Sequence, residues 1–327
     1  WHITNSCDLR CRHCYDRTLL SPLKLEQGVA VLDSLREFCL RRHVQGHVCF
    51  TGGNPFLHGQ FEELYAAAAE RGFNTSILGN PTPRNRLERL CAIQKPSYFQ
   101  VSLEGLQPHN DFMRGNGHFD RTLYFLDVLA ELRIPSQVML TLTRDNMSQV
   151  LPLAERLRGR VDDFTFNRLA QVGEGANLSA PDPADYARFL EQYADACGRN
   201  PILALKDNLL NVVHDAKRLP LFGGCTGHGC GAAFNFIALL PDGMAHACRK
   251  FPSPIGNVLE QGLGGVYDSA QARRYRDGCS ACQGCRLRPV CGSCMAVTYG
   301  RGEDPLTVRD PQCLFNEAPC APLRRSA

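Results

Sequence analysis

Residues 3–15 read Ile3-Thr4-Asn5-Ser6-Cys7-Asp8-Leu9-Arg10-Cys11-Arg12-His13-Cys14-Tyr15, a short β-branched run that breaks into three cysteines spaced C-x3-C-x2-C. Cys7, Cys11 and Cys14 therefore share one loop directly after a predicted strand. Three thiolates so spaced can hold three irons of a four-iron cluster and leave the fourth iron without a protein ligand. An open coordination position is what a catalytic metal centre needs, whereas a structural one is closed. A zinc site lacking one ligand is the alternative this spacing leaves open. The position of the loop also bears on the fold, because parallel α/β sheets place their chemistry at the carboxyl ends of strands.

Outward from that loop, apolar runs alternate with longer amphipathic ones. Candidate strands are 1–6, 46–51, 73–79, 97–103, 136–143 and 162–167, and helical patterns lie near 24–43, 57–71, 84–93, 119–132, 148–158 and 182–198. In the first helix Leu25, Val29, Leu32, Leu35, Phe38 and Cys39 recur at helical spacing, which predicts one buried stripe. Strand–helix alternation of this length means a parallel sheet with right-handed crossovers. Six units suggest an α/β fold built as an open, partial (β/α)6 TIM-like barrel. The proline-bearing stretch 173–184 reads as a long loop. After about residue 215 Gly, Pro and Cys dominate, and ten of the seventeen cysteines lie between 225 and 320. Two domains are expected, a barrel over 1–214 and a cysteine-rich unit over 215–327.

Composition narrows the function classes. Hydrophobic residues at 44% and charged residues at 21% fit an ordinary globular chain. A net charge of +3 without a long basic run argues against a nucleic-acid partner. No run approaches the apolar length of a membrane span, and no signal-peptide pattern opens the chain, so a cytoplasmic location is expected. The chain begins at Trp1 rather than Met and reads as part of a longer polypeptide. An odd number of cysteines in so long a chain does not suit a secreted disulfide scaffold.

The segment ITNSCDLRCRHCY resembles the signature of the radical S-adenosylmethionine (SAM) superfamily, in the form found in members with additional C-terminal clusters. The resemblance implies that the open iron chelates S-adenosyl-L-methionine, whose reductive cleavage gives a 5′-deoxyadenosyl radical. Tyr15 then falls among the cofactor-binding residues. Thr51-Gly52-Gly53-Asn54-Pro55 is similar to the family's GGEP element, which binds the SAM amino group. Gly52 and Gly53 would let a ligand approach the backbone, and Pro55 can start the next segment. Asn54 stands where Glu is usual; its amide oxygen can still accept a hydrogen bond, so Asn54→Glu is expected to be tolerated. Ser102-Leu103-Glu104-Gly105, followed by His109 and Arg114, resembles the stretch that contacts the SAM carboxylate and ribose, through Ser102 and Arg114. Arg168 in FNRLAQVGEG is a further candidate of that type.

Cys225, Cys230, Gly243 and Cys248 are followed by Cys282, Cys285, Cys291 and Cys294 as C-x2-C-x5-C-x2-C, and then by Cys313. Taken alone, such spacing also suits zinc. It resembles the SPASM extension, which houses two auxiliary clusters, although the family run usually ends C-x3-C. The resemblance implies one cluster on Cys225, Cys230, Cys248 and Cys294 and another on Cys282, Cys285, Cys291 and Cys313, giving three 4Fe-4S clusters in all. Full thiolate ligation suits electron transfer or bracing. Cys279 and Cys320 are left over as substitute ligands or catalytic candidates, while Cys39, Cys49, Cys91 and Cys197 fit packing positions.

The resemblance implies an enzyme that modifies a precursor peptide, with a flavodoxin or ferredoxin as electron donor and a monomer as the working unit. The GGNP variant and the HCYDR opening resemble the maturases of thio(seleno)oxazole modification, which act on Cys- and Sec-rich peptides. Sulfatase-maturating relatives carry a carboxylate directly after an auxiliary-cluster cysteine; here Arg249 and Lys250 follow Cys248, which disfavours formylglycine formation. A small-molecule-modifying enzyme and a non-catalytic iron–sulfur electron carrier are the remaining alternatives.

Overall fold

The computed structural model describes residues 1–315; Cys320 lies outside the described residues. The first two-thirds of the chain alternate as expected. The elements are β1 (His2–Thr4), α1 (Leu25–Arg42), β2 (His47–Gly52), α2 (Phe61–Glu70), β3 (Asn74–Leu78), α3 (Arg84–Ile93), β4 (Phe99–Ser102), α4 (Gln107–Arg114), α5 (His118–Glu131), β5 (Ser136–Leu142), α6 (Val150–Leu157), β6 (Asp163–Arg168) and α7 (Pro183–Cys197). The six strands form one parallel sheet in the order β1-β2-β3-β4-β5-β6. Sequential order with a helix at each crossover curls the sheet around one axis, as in a barrel, and leaves β1 and β6 as its edges.

Side chains alternate faces along a strand, and here the two faces differ in chemistry. Val48, Phe50, Phe99, Val101, Val138, Leu140, Phe164 and Phe166 pack with the helices in one hydrophobic cluster. Each large side chain so buried stabilises the fold by about 1.5–3 kcal/mol. The opposite face carries Cys49, Gln100, Ser102, Gln137, Thr141 and Asn167, all only half-buried. The inner side of the barrel also carries Ser76, Met139 and Thr165, which are buried, so this lumen is polar for the most part and accessible only in part.

Two helices up to residue 216 were not expected from the sequence, nor were the three that follow in the C-terminal region. In α4 the run QPHNDFMR is too polar to show an apolar stripe, although Pro108 sits in its first turn, where a missing N–H costs nothing. The other is α8 (Leu210–Ala216), whose Leu210, Val212 and Val213 join the barrel cluster, as does Leu287 much later. The helix stripe in α1 is also corrected. Gly28, Val31 and Leu32 are its buried residues, and Leu25, Val29, Leu35 and Cys39 pack partly buried beside the core.

Beyond α8 lies an antiparallel sheet of β7 (Ala238–Leu239), β8 (Met244–His246) and β9 (Pro254–Asn257). Three helices follow, α9 (Val258–Tyr267), α10 (Ala270–Asp277) and α11 (Met295–Gly300). A second hydrophobic cluster holds this region and takes in Val31 of α1. Helix α9 lies on α1, with Phe38 and Tyr267 rings 5.0 Å apart, Leu263 N–H donating to Ser34 Oγ at 2.7 Å, and Arg42 paired with Asp268 at 2.6 Å.

Candidate metal and cofactor site

The loop after β1 brings Cys7, Cys11 and Cys14 together. Cys14 N–H donates to the Cys11 carbonyl at 3.2 Å, Cys7 and Cys14 raise the proton affinity of Cys11, and Cys14 raises that of Cys7. Burial is the larger effect and pushes all three thiols up, while Arg114 pulls Cys11 back down. Donors surround the sulfurs: Leu9 N–H lies 3.5 Å and Asn80 Nδ2 3.6 Å from Cys7 Sγ, and Arg114 Nη1 lies 3.7 Å from Cys11 Sγ. Such N–H groups favour the thiolate form that binds metal.

Arg114 is held by Glu104, which is fully buried at the end of β4. Its Nε and Nη2 donate to Glu104 Oε1 at 2.9 and 2.6 Å, and Thr141 N–H donates to Glu104 Oε2 at 2.8 Å. Despite burial, the Arg114 guanidinium and the Thr141 N–H keep Glu104 below the usual carboxylate range. Burial lowers His13 to about 4, so its ring is neutral. Nδ1 of His13 and Nε2 of His109 are buried without a hydrogen-bond partner among the described residues. Buried polar atoms are nearly always satisfied. A soft donor set, flanking N–H groups and two orphaned nitrogens fit an iron–sulfur cluster with a polar cofactor beside it.

The glycines of the Gly-Gly element do something other than expected. A Cβ on Gly52 would stand 2.0 Å from the Thr4 carbonyl oxygen, and one on Gly53 would stand 2.2 Å from that of Ser6. Gly53 N–H donates to Thr4 and Asn54 N–H to Ser6, both at 2.8 Å. What approaches this backbone is the chain's own cysteine loop. Asn54, 4% exposed, accepts from Phe56 N–H at 3.2 Å and donates to Asp8 at 3.0 Å. Asn80 donates to the same Asp8 oxygen at 2.6 Å. Pro55 opens a 3-10 turn, as its position implied. Ser102 ends β4 on the lumen side.

Arg168 is placed elsewhere. Its Nε donates to Asp207 at 2.8 Å, Nη1 to Asp310 at 2.9 Å and to Gln312 at 3.2 Å, and Nη2 pairs with Asp310 at 2.7 Å. All three guanidinium nitrogens are engaged, so the residue joins β6 to the C-terminal segment rather than offering donors to a ligand. A second tie links the regions. Arg249 pairs with Asp16 and lies 5.6 Å over the Tyr15 ring. Tyr15 is thus fixed by the residue following Cys248.

None of the sixteen described cysteines forms a disulfide. Burial pushes Cys230 up, and Cys294, Cys248 and Cys225 push it further, which places these four in one another's field. Cys282, Cys285, Cys291 and Cys313 line a single pocket. Backbone bonds lace the two sets together: Cys230 N–H donates to Cys291 at 3.1 Å, and Asn208 accepts from Cys225 N–H at 2.6 Å. Cys294 N–H donates to Asp310 at 3.2 Å. The chemistry of both thiol sets fits cluster ligation. Among the described residues no three His, Cys, Asp or Glu side chains form a group that could hold a single metal ion. Cys279 is 1% exposed; its thiol donates to the Val308 carbonyl at 3.2 Å and lies beside that of Cys282. No helix among the described residues is long and apolar enough to cross a membrane.

Sequence reading missed Asp8, Glu104, Asp16 and Arg249. A glutamate in the otherwise apolar strand end Val101-Ser102-Leu103-Glu104 was a signal, since a buried charge demands a partner. The others are ordinary surface types with no local mark.

Comparison with known proteins agrees with this geometry. The radical SAM superfamily matches residues 1–157, and the SPASM iron–sulfur cluster-binding domain matches residues 230–295. The AdoMet-dependent heme synthase of Nitratidesulfovibrio vulgaris is 25% identical, over 99% of this chain and 94% of its own. The sporulation killing factor maturation protein SkfB of Bacillus subtilis is 27% identical, over 86% of this chain and 67% of its own. Among solved structures, Streptococcus suis SuiB bound to S-adenosylmethionine superposes with a TM-score of 0.73 at 20% identity, over 96% of this chain and 76% of that one. The chain is a radical SAM superfamily enzyme that carries a C-terminal SPASM domain.

Proposed function

We propose that this enzyme is a peptide maturase, which takes hydrogen from a ribosomally made, Cys-rich or Sec-containing precursor peptide to install a cross-link or heterocycle. The observation that carries the reading is the set of half-buried polar side chains on the inner face of the sheet, which ends at the Cys7–Cys14 loop. Half-buried Gln100, Gln137, Thr141 and Asn167 offer donors and acceptors to an extended backbone. The maturation-protein relative supports it.

Bound SAM and its cluster would supply a radical able to take a hydrogen atom from substrate. Cys7, Cys11 and Cys14 would hold that cluster. Glu104 keeps Arg114 charged and aimed at the cysteine loop, where a guanidinium suits a carboxylate of the cofactor. Asp8 and Asn80 fix the loop at Cys7, and the Arg249–Asp16 pair fixes it at Tyr15. Cys225, Cys230, Cys248 and Cys294 would hold one auxiliary cluster and Cys282, Cys285, Cys291 and Cys313 the other, with electrons from a flavodoxin or ferredoxin.

A second reading, modification of a tetrapyrrole side chain, is favoured by the heme synthase relative, which aligns along almost the whole chain. The test incubates reduced, reconstituted enzyme and SAM with Cys-containing candidate peptides and, separately, with carboxylated porphyrins. Peptide mass and 5′-deoxyadenosine are followed together. Coupled loss of hydrogen mass from a peptide is expected; coupled turnover of a porphyrin alone would replace the maturase reading.

A further inference from the structure

The lumen contains a cation that the proposed chemistry leaves unused. Residues 202–204 run along β6, with Phe164 N–H donating to Ile202 at 2.6 Å and Ala204 N–H to Phe164 at 2.9 Å. Lys206 follows, and its Nζ stands 4.0 Å from Met139 Sδ on β5. Val138 and Leu140 belong to the helix-side cluster, so Met139, and Lys206 with it, is on the lumen side. Lys250 is close enough to oppose the charge of Lys206 and also acts on His13, Cys248 and Cys294. The two ammonium groups therefore converge between the first cysteine loop and one C-terminal thiol set.

Among the described residues neither lysine has an ion-pair partner. The carboxylates of the surrounding chain are already taken: Glu104 by Arg114, Asp207 and Asp310 by Arg168, Asp16 by Arg249. A partly buried ammonium with a like charge nearby and no ion-pair partner is favoured when an anion joins it. Cys225, Cys49 and Asp207 each favour the charged form of Lys206 against its burial, yet none of them is an ion-pair partner of it among the described residues.

We infer that Lys206, with Lys250 behind it, is a carboxylate-recognition site in the lumen that takes an Asp or Glu side chain of the precursor peptide. The inference rests on the maturase reading and adds the substrate's charge to it.

The experiment uses the full-chain reconstituted enzyme with SAM bound. The probes are a fluorescent Cys-containing peptide with Glu at alternate positions, its Gln counterpart, and a tetracarboxylate porphyrin. Binding is read by anisotropy, with iron content and the potentials of the clusters read in parallel. The Glu peptide should bind about tenfold more tightly than the Gln peptide, the worth of a charge-assisted hydrogen bond. Lys206→Gln should remove that preference and Lys206→Arg should restore most of it. Equal affinity for the two peptides overturns the inference, as does a Lys206→Gln variant that shifts a cluster potential but keeps the preference; the latter assigns Lys206 to the thiolates alone. Turnover of both peptides regardless of charge would overturn the inference and leave the maturase reading standing. Lys206-dependent binding of the porphyrin, with neither peptide bound, would end both.

Discussion

Replacing Arg168 with Met tests whether this guanidinium is a brace between two regions or a cofactor contact. It is 4% exposed and holds Asp207 and Asp310, themselves 9% and 2% exposed. Asp310 also accepts from Cys294 and Gln312 N–H groups, and Asp207 from Leu209 N–H at 2.9 Å. Met matches the aliphatic stem but leaves two buried carboxylates facing each other. Removing one partner of a buried pair costs about 3–5 kcal/mol. The remaining N–H donors offset part of the second exposed charge, so a loss near 4 kcal/mol is expected. For a chain of this size that lowers the melting temperature by roughly 8–12 °C, at the small end of the shift per kcal/mol seen in large domains. Anaerobic thermal unfolding of the reconstituted enzyme measures it, and SAM affinity is measured on the same samples. Arg168→Lys, which keeps the charge but cannot fork onto both acids, should fall between. A shift below about 2 °C together with a large loss of SAM affinity would refute the reasoning and return Arg168 to the cofactor pocket.

Replacing Cys7, Cys11 and Cys14 together by Ala should abolish SAM cleavage and leave about eight irons per chain on the two C-terminal thiol sets; iron analysis and deoxyadenosine assays check this. Asn54→Glu, which family likeness alone would allow, should now be harmful, because it sets a second carboxylate against Asp8; SAM affinity should fall by about 1–3 kcal/mol, and Asp8→Asn should restore it. His118 is 2% exposed, and burial lowers it to about 3 from the ordinary 6.5. The unfolded chain binds that proton below pH 6.5 and the folded one does not, so His118 contributes stability above 6.5 that is lost as pH falls toward 3. His118→Gln should therefore flatten the decline in melting temperature between pH 6.5 and about 5.

The strands were legible because each is a β-branched or apolar run between turn residues, and their order followed from strand–helix alternation. Helices α4 and α8 were not, since neither QPHNDFMR nor the short LNVVHDA shows a full amphipathic period. The thiols were legible by spacing, for cysteine is rare enough that C-x3-C-x2-C stands out alone. Their supports were hidden for the opposite reason. Asp8, Asp16, Asp207, Arg249 and Asp310 are common residue types whose partners come from distant segments, so no local window marks them. Gly52 and Gly53 were recognised as a close approach, but sequence alone does not say what approaches. Here it is the carbonyls of Thr4 and Ser6, which makes the motif as much a seat for the cysteine loop as for a ligand.

The Arg249–Asp16 pair also sets an order of events during synthesis. Chains emerge from the ribosome amino end first, so the Cys7–Cys14 loop is made long before the residue that braces it. Arg168 waits 142 residues for Asp310, and Arg42 waits 226 for Asp268. Until the cysteine-rich region has emerged and settled on α1, the first loop lacks its tie to Arg249 and Arg168 has only the first of its two counter-ions, Asp207. Iron loaded onto the nascent barrel would meet a site still open to water and oxidant. The fold therefore favours late completion of the first cysteine loop, after the C-terminal region has docked.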